Sequence, residues 1–106
     1  MEMKDLPAHY KDLREKFPEF FSALEELGQR ARSNGPLDEK TVELVQMAAA
    51  AATRSEGAVH SHARRALAAG ASKEDLYHAL LAITSTIGFP TVAAALSWVE
   101  DVVNHK

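Results

Sequence analysis

Residues 62–75 read HARRALAAGASKED, and they hold the end of one helix and the start of the next. Gly70 follows an alanine- and leucine-bearing helical run, at the place where a helix commonly ends in a left-handed residue that only glycine adopts without cost. Ser72 and Asp75 then stand three apart, an approximate capping box with Asp in place of the usual Glu or Gln. Upstream, Ser55 is placed to cap the helix that runs from Glu56 to Ala69. Downstream, Leu76, Leu80, Ile83 and Ile87 continue at helical spacing until Gly88-Phe89-Pro90. The same grammar extends in both directions. Asp38 caps a helix carrying Val42, Val45, Ala49 and Ala52 to about Arg54. Pro18 opens one carrying Phe20, Phe21, Leu24, Leu27 and Ala31, stopped by Ser33-Asn34-Gly35-Pro36. A short segment from Asp5 to Lys16 precedes it, and a last helix after Pro90 aligns Ala93, Leu96, Val99 and Val103. No alternating run or hairpin dipeptide signals a strand. The expected fold is all-α: a single domain over residues 1–106, built as a bundle of five to six helices.

Composition narrows the function. A chain of 106 residues makes one modest core, and a net charge of −3 gives no general attraction to nucleic acid or anionic lipid. The longest plain apolar run, Met47 to Ala52, is far short of the roughly 18 residues of a membrane span. Asp5 and Pro7 interrupt the place where a secretory signal needs an apolar stretch, so a cytoplasmic location is expected, with no nucleic-acid or membrane partner. There is no cysteine. That excludes disulfides, thiolate metal sites, iron–sulfur clusters and thiol catalysis together. Ala48 to Ala52 with Ala58, Ala63, Ala66, Ala68 and Ala69 make the third and fourth helices thin-walled. Alanine favours helix but contributes little buried area, and the leucine- and valine-bearing faces of the fifth and last helices look too rich for one small bundle. A homo-oligomer follows from that reading.

One constellation can carry chemistry: Ser55, His60 and His62, with Glu43 on the preceding helix. His60 and His62 are two residues apart, so on a regular helix they point about 200° away from each other and cannot hold one metal ion together. His60 shares a stripe with Glu56 and Arg64, the profile of a solvated face or pocket rim. His62 shares one with Ser55, Val59, Ala66 and Ala69, which makes it buried or half-buried among small groups. Glu43 has two readings. Beside Glu39, Gln46 and Met47 it is one polar edge of its helix; close to a buried imidazole it would fix the tautomer and raise the basicity. A simple hairpin about Ser55 leaves Glu43 beyond His62 by five residues, about 7 Å at 1.5 Å per residue. No phosphate loop, Gly-x-Ser-x-Gly elbow or His-Glu-x-x-His motif is present. No cofactor and no metal are expected.

From Leu37 to about Val103 the chain resembles the carboxymuconolactone decarboxylase and alkylhydroperoxidase AhpD-like family. The resemblance rests on LDEKTVELVQMAAAAATRS at 37–55, HARRALAAGASKEDLYHALL at 62–81 and GFPTVAAAL at 88–96. It implies an AhpD-like helical fold that assembles as a trimer or hexamer. The peroxidase branch of that family carries Cys-x-x-Cys-x-x-x-His with a glutamate 12 residues before the first Cys. Laid on this chain, the histidine falls on His62, the glutamate on Glu43, and the two cysteines on Ser55 and Ala58. Both sulfurs are gone, and with them the thiolate that attacks peroxide and the thiol that resolves the product. The decarboxylase branch, by the same resemblance, uses histidine-centred proton transfer on a small cyclic dicarboxylate. Two functions therefore stand side by side. In one, His62, Glu43, His60 and Ser55 form a catalytic site for a small organic acid or lactone. In the other, the chain is a non-catalytic oligomeric scaffold or small-ligand-binding protein of the same fold.

Overall fold

The computed structural model describes residues 8–104, and among them seven helices and no strand. The chain divides into two compact units, Met1–Pro36 and Leu37–Lys106.

The first unit contains α1 (Ala8–Lys16) and α2 (Pro18–Ser33). Phe17 joins them: its amide donates to the Leu13 carbonyl, and its own carbonyl accepts from the Phe21 amide. Pro18 follows at the first position of α2, where its missing N–H costs nothing. Phe21 is the buried residue of this unit, meeting the ring of Tyr10 edge-on with centroids 5.4 Å apart. Arg14 and Glu25 form an ion pair between the two helices, and that contact holds the Glu25 carboxyl below its ordinary pKa.

The second unit contains α3 (Glu39–Ala52), α4 (Glu56–Ala68), α5 (Lys73–Leu81), α6 (Thr84–Ile87) and α7 (Phe89–Val103). Met47, Val59, Leu76, Leu80, Val92 and Val99 are its fully buried large side chains. Ala50, Ala51, Ala63, Ala66 and Ala95 fill the space between them, so helices α3, α4 and α7 meet through methyl groups. The Asp38 carboxylate accepts from the Thr41 amide at 2.9 Å, as the sequence predicts for a cap.

Three expectations change. The fifth helical segment is two: the chain turns at Ala82 and Ile83, and α6 is a separate turn, so seven helices replace five or six. The buried stripe of α3 is Glu43, Met47, Ala50 and Ala51, while Val45 is 54 % exposed. Glu43, on that stripe, meets His62 of α4. The large apolar side chains of α5 and α7 are mostly absorbed within the unit, with Leu76, Leu80, Val92 and Val99 fully covered. The large apolar side chains that stay exposed are Leu81 at the end of α5, Phe89 at the start of α7, Leu37 and Val45 elsewhere in this unit, and Phe17, Phe20, Leu24 and Leu27 in the first.

The capping box at α5 is complete. Asp75 N–H donates to Ser72 Oγ at 3.0 Å, and Ser72 N–H donates to Asp75 Oδ2 at 2.9 Å. That backbone bond holds the Asp75 carboxyl below its ordinary value of 3.8. Ser72→Ala is expected to lower the unfolding free energy by about 1 kcal/mol in urea titrations. Because the folded-state pKa of Asp75 is depressed, its contribution is full above pH 3.8 and is lost as the pH falls through the lower folded-state value. The stability difference between wild type and Asp75→Ala should therefore shrink on acidification below that point.

Candidate functional site

The junction between α3 and α4 sets the site. Arg54 adopts φ 58°, a left-handed conformation rare for a residue with a Cβ. Around it the Arg54 amide donates to the Ala51 carbonyl at 3.0 Å and the Ser55 amide to the Ala50 carbonyl at 2.9 Å. These are the two bonds of a Schellman turn. Its consequence is register. Ser55 is drawn back level with Ala50, so the two helices pivot about that bond rather than about Ser55 alone. Glu43 lies seven residues before Ala50, and His62 lies seven residues after Ser55. Each is two helical turns, roughly 10 Å, from the pivot.

The two side chains accordingly meet. His62 Nδ1 and Glu43 Oε1 are 2.8 Å apart, with the Glu43 side chain 4 % exposed and that of His62 16 % exposed. The 7 Å gap of the simple hairpin is closed by the Schellman turn, and the polar-edge reading of Glu43 gives way to a buried carboxylate on an imidazole. With the Glu43 carboxylate accepting the proton of Nδ1, Nε2 carries the free lone pair. Among the described residues no group bonds to Nε2, and no buried side-chain nitrogen or oxygen is left without a partner. Nε2 therefore faces accessible space. An imidazole anchored at one nitrogen by a carboxylate and open at the other can take up or give a proton at a fixed point.

The other candidates are placed elsewhere. Ser55 occupies the N-cap position of α4, but its hydroxyl makes no capping bond, contrary to expectation; only its backbone is engaged. Its amide is used by the turn, and α4 begins through the Ser55 carbonyl accepting from Val59. It stands two turns from His62. His60 is half-buried rather than solvated, because α7 covers it: Nε2 lies 3.1 Å from Asp101 Oδ2 and 3.9 Å from Glu56 Oε2. Arg64 is exposed and takes no part in that contact. Two residues that sequence reasoning missed complete the picture. Asp101 is 41 residues from His60, and Thr91, which accepts from the Arg54 guanidinium at 2.9 Å, is 37 residues from Arg54. Neither spacing leaves a local signal. Glu56, His60 and Asp101 are also a group able to hold a metal ion, their ligand atoms lying within 4.8 Å of one another. A cleft of about 200 Å³ lies in the first unit, lined by residues such as Arg14, Phe21 and Glu25.

Comparison with known proteins gives the chain a family. The sequence model of the carboxymuconolactone decarboxylase family matches residues 18–101. The chain belongs to the carboxymuconolactone decarboxylase family. The match begins at Pro18 and so takes in α2, beyond the resemblance that starts at Leu37. A carboxymuconolactone decarboxylase family protein from Legionella pneumophila has a similar solved structure, with a TM-score of 0.84 and 29 % sequence identity. That similarity covers 95 % of this chain and 90 % of that one. No curated protein matches the chain. As a family member this chain is cysteine-free, and no helix among its described residues is long and apolar enough to cross a membrane.

The Glu43–His62 bond has a spectroscopic signature. Nitrogen NMR of neutral His62 should show the Nδ1–H tautomer in the wild type. In Glu43→Ala, the usual preference for Nε2–H should return.

Proposed function

We propose that this protein is a cysteine-free carboxymuconolactone decarboxylase-family enzyme that transfers protons on a small organic acid or lactone. His62 Nε2 acts as the base or acid, and Glu43 holds the ring. The observation that carries the reading is the 2.8 Å contact between His62 Nδ1 and the buried Glu43 carboxylate. A carboxylate on Nδ1 stabilises the imidazolium that forms when Nε2 takes a proton and returns the ring to one tautomer when it gives the proton up. Thiol chemistry has no counterpart here: Ser55 and Ala58 stand where the peroxidase motif of the family needs sulfur. The unbonded hydroxyl of Ser55 is available to the far end of a substrate, and His60 belongs to a separate cluster.

A screen of small carboxylic acids and lactones by thermal shift identifies ligands, because binding to the native state raises its stability. On a turned-over compound, His62→Ala is expected to lower kcat by roughly 10²–10⁴-fold, with a smaller loss in Glu43→Gln and an unchanged helical circular dichroism spectrum. Wild-type turnover in His62→Ala would refute the proposal. Binding without turnover would favour the scaffold or ligand-binding alternative. Hydroperoxide reduction with a dithiol donor is expected to be absent.

We also propose that the protein assembles as a homo-oligomer, a trimer or hexamer in keeping with its family. Phe17, Phe20, Leu24 and Leu27 recur at intervals of three and four residues, and all four are exposed. Such spacing forms an apolar seam along one side of a helix. Phe20→Glu combined with Leu24→Glu should lower the mass measured by analytical ultracentrifugation; an unchanged mass would place the assembly surface elsewhere.

A further inference from the structure

Helix α4 carries a second histidine cluster with a different character. Glu56 and His60 are four residues apart on α4, the spacing at which helical side chains converge, and Asp101 reaches them from α7. His60 Nε2 lies 3.1 Å from Asp101 Oδ2 and 3.9 Å from Glu56 Oε2, and all three potential ligand atoms fall within 4.8 Å of one another. Among the described residues neither carboxylate meets a lysine or arginine. A single histidine neutralises at most one of the two negative charges. The α4 N-terminus accounts for an acidic residue at Glu56, since the helix dipole favours a negative charge there. It gives no reason for a second carboxylate from another helix to converge on the same imidazole nitrogen.

We infer that Glu56, His60 and Asp101 form a binding site for a divalent transition-metal ion that ties α4 to α7. The distances suit the ion. Ligands about 2.1 Å from a zinc-like ion lie about 3.0–3.4 Å apart for right-angle or tetrahedral placement. His60 and Asp101 already have that separation, and Glu56 closes the remainder by a rotation of its exposed, flexible side chain. One imidazole with two carboxylates selects zinc, nickel or cobalt over calcium and magnesium, which prefer an all-oxygen shell. Water completes the coordination on the exposed side. The site is distinct from the Glu43–His62 pair, because His60 and His62 leave α4 in different directions.

The test uses the full chain stripped with chelator, then titrated calorimetrically with zinc, nickel and calcium chlorides, with thermal shift in parallel. One zinc or nickel ion per chain and a raised Tm are expected, with no comparable effect of calcium. His60→Ala and Asp101→Asn should each weaken binding by more than roughly tenfold, judged against the 10–100-fold losses seen when even supporting partners are removed. His62→Ala, and His78→Ala on α5, should bind as the wild type does. Circular dichroism of the metal-free variants confirms that they fold, and Asp101→Asn keeps the shape of the side chain should His60→Ala prove unstable. Absence of stoichiometric zinc or nickel binding would overturn the inference. So would binding that survives both His60→Ala and Asp101→Asn, or binding that disappears in His62→Ala instead.

Discussion

The bond from the Ser55 amide to the Ala50 carbonyl governs the second unit, because it sets where two helices stand relative to each other along their lengths. A connection of three residues between α3 and α4 leaves little freedom, and the Schellman turn removes most of what remains. Arg54 bears the cost of a left-handed backbone, and its guanidinium is held by Thr91 of α7. Once the register is fixed, residues equally distant from the turn face each other. Glu43 and His62 are such a pair, and so the chemistry of the site is a consequence of a backbone hydrogen bond two turns away.

Alanine makes the contact close. Ala50 and Ala51 on α3 and Ala63 and Ala66 on α4 are buried, and they leave no bulk to hold the helices apart. A carboxylate and an imidazole then reach hydrogen-bond distance from opposite helices without long side-chain detours. Such a pair is poor evidence for stability. Burying a carboxylate costs solvation that its partner only offsets, and apolar residues of similar volume often serve a core as well or better. The open Nε2 of His62 gives the pair a chemical use that an apolar replacement would lack. His60 shows the contrasting case on the same helix, with its carboxylates exposed, two in number and drawn from α4 itself and from α7.

The two units differ in how they use their apolar residues. In the second, Met47, Leu76, Leu80, Val59, Val92 and Val99 make a closed core around the alanines. Among the described residues of the first, Phe21 alone is buried, while Phe17 just before α2 and Phe20, Leu24 and Leu27 along it remain exposed. A two-helix unit has too little interior to cover them, as expected for so short a segment. The family match nevertheless runs through α2, so this helix is part of the shared architecture of the family.

Helix ends were legible because they are local: Pro18, Asp38, Gly70, Ser72 with Asp75, and Pro90 act on amides within a few residues of themselves. The lack of thiol chemistry was equally certain, since no fold can supply a thiol that the chain does not contain. The partial burial of His62 followed from spacing alone. What spacing could not decide was the face of α3 turned inward, the meeting of Glu43 with His62, or the approach of Asp101 to His60. The first escaped residue type altogether: Glu43 and Met47 turn inward with Ala50 and Ala51, whereas Val45, Ala49 and Ala52 are exposed. The other two depend on distances across 19 and 41 residues of chain. Those distances are set by the backbone turn at Arg54 and by the packing of α7 on α4, which exist only once the helices have assembled.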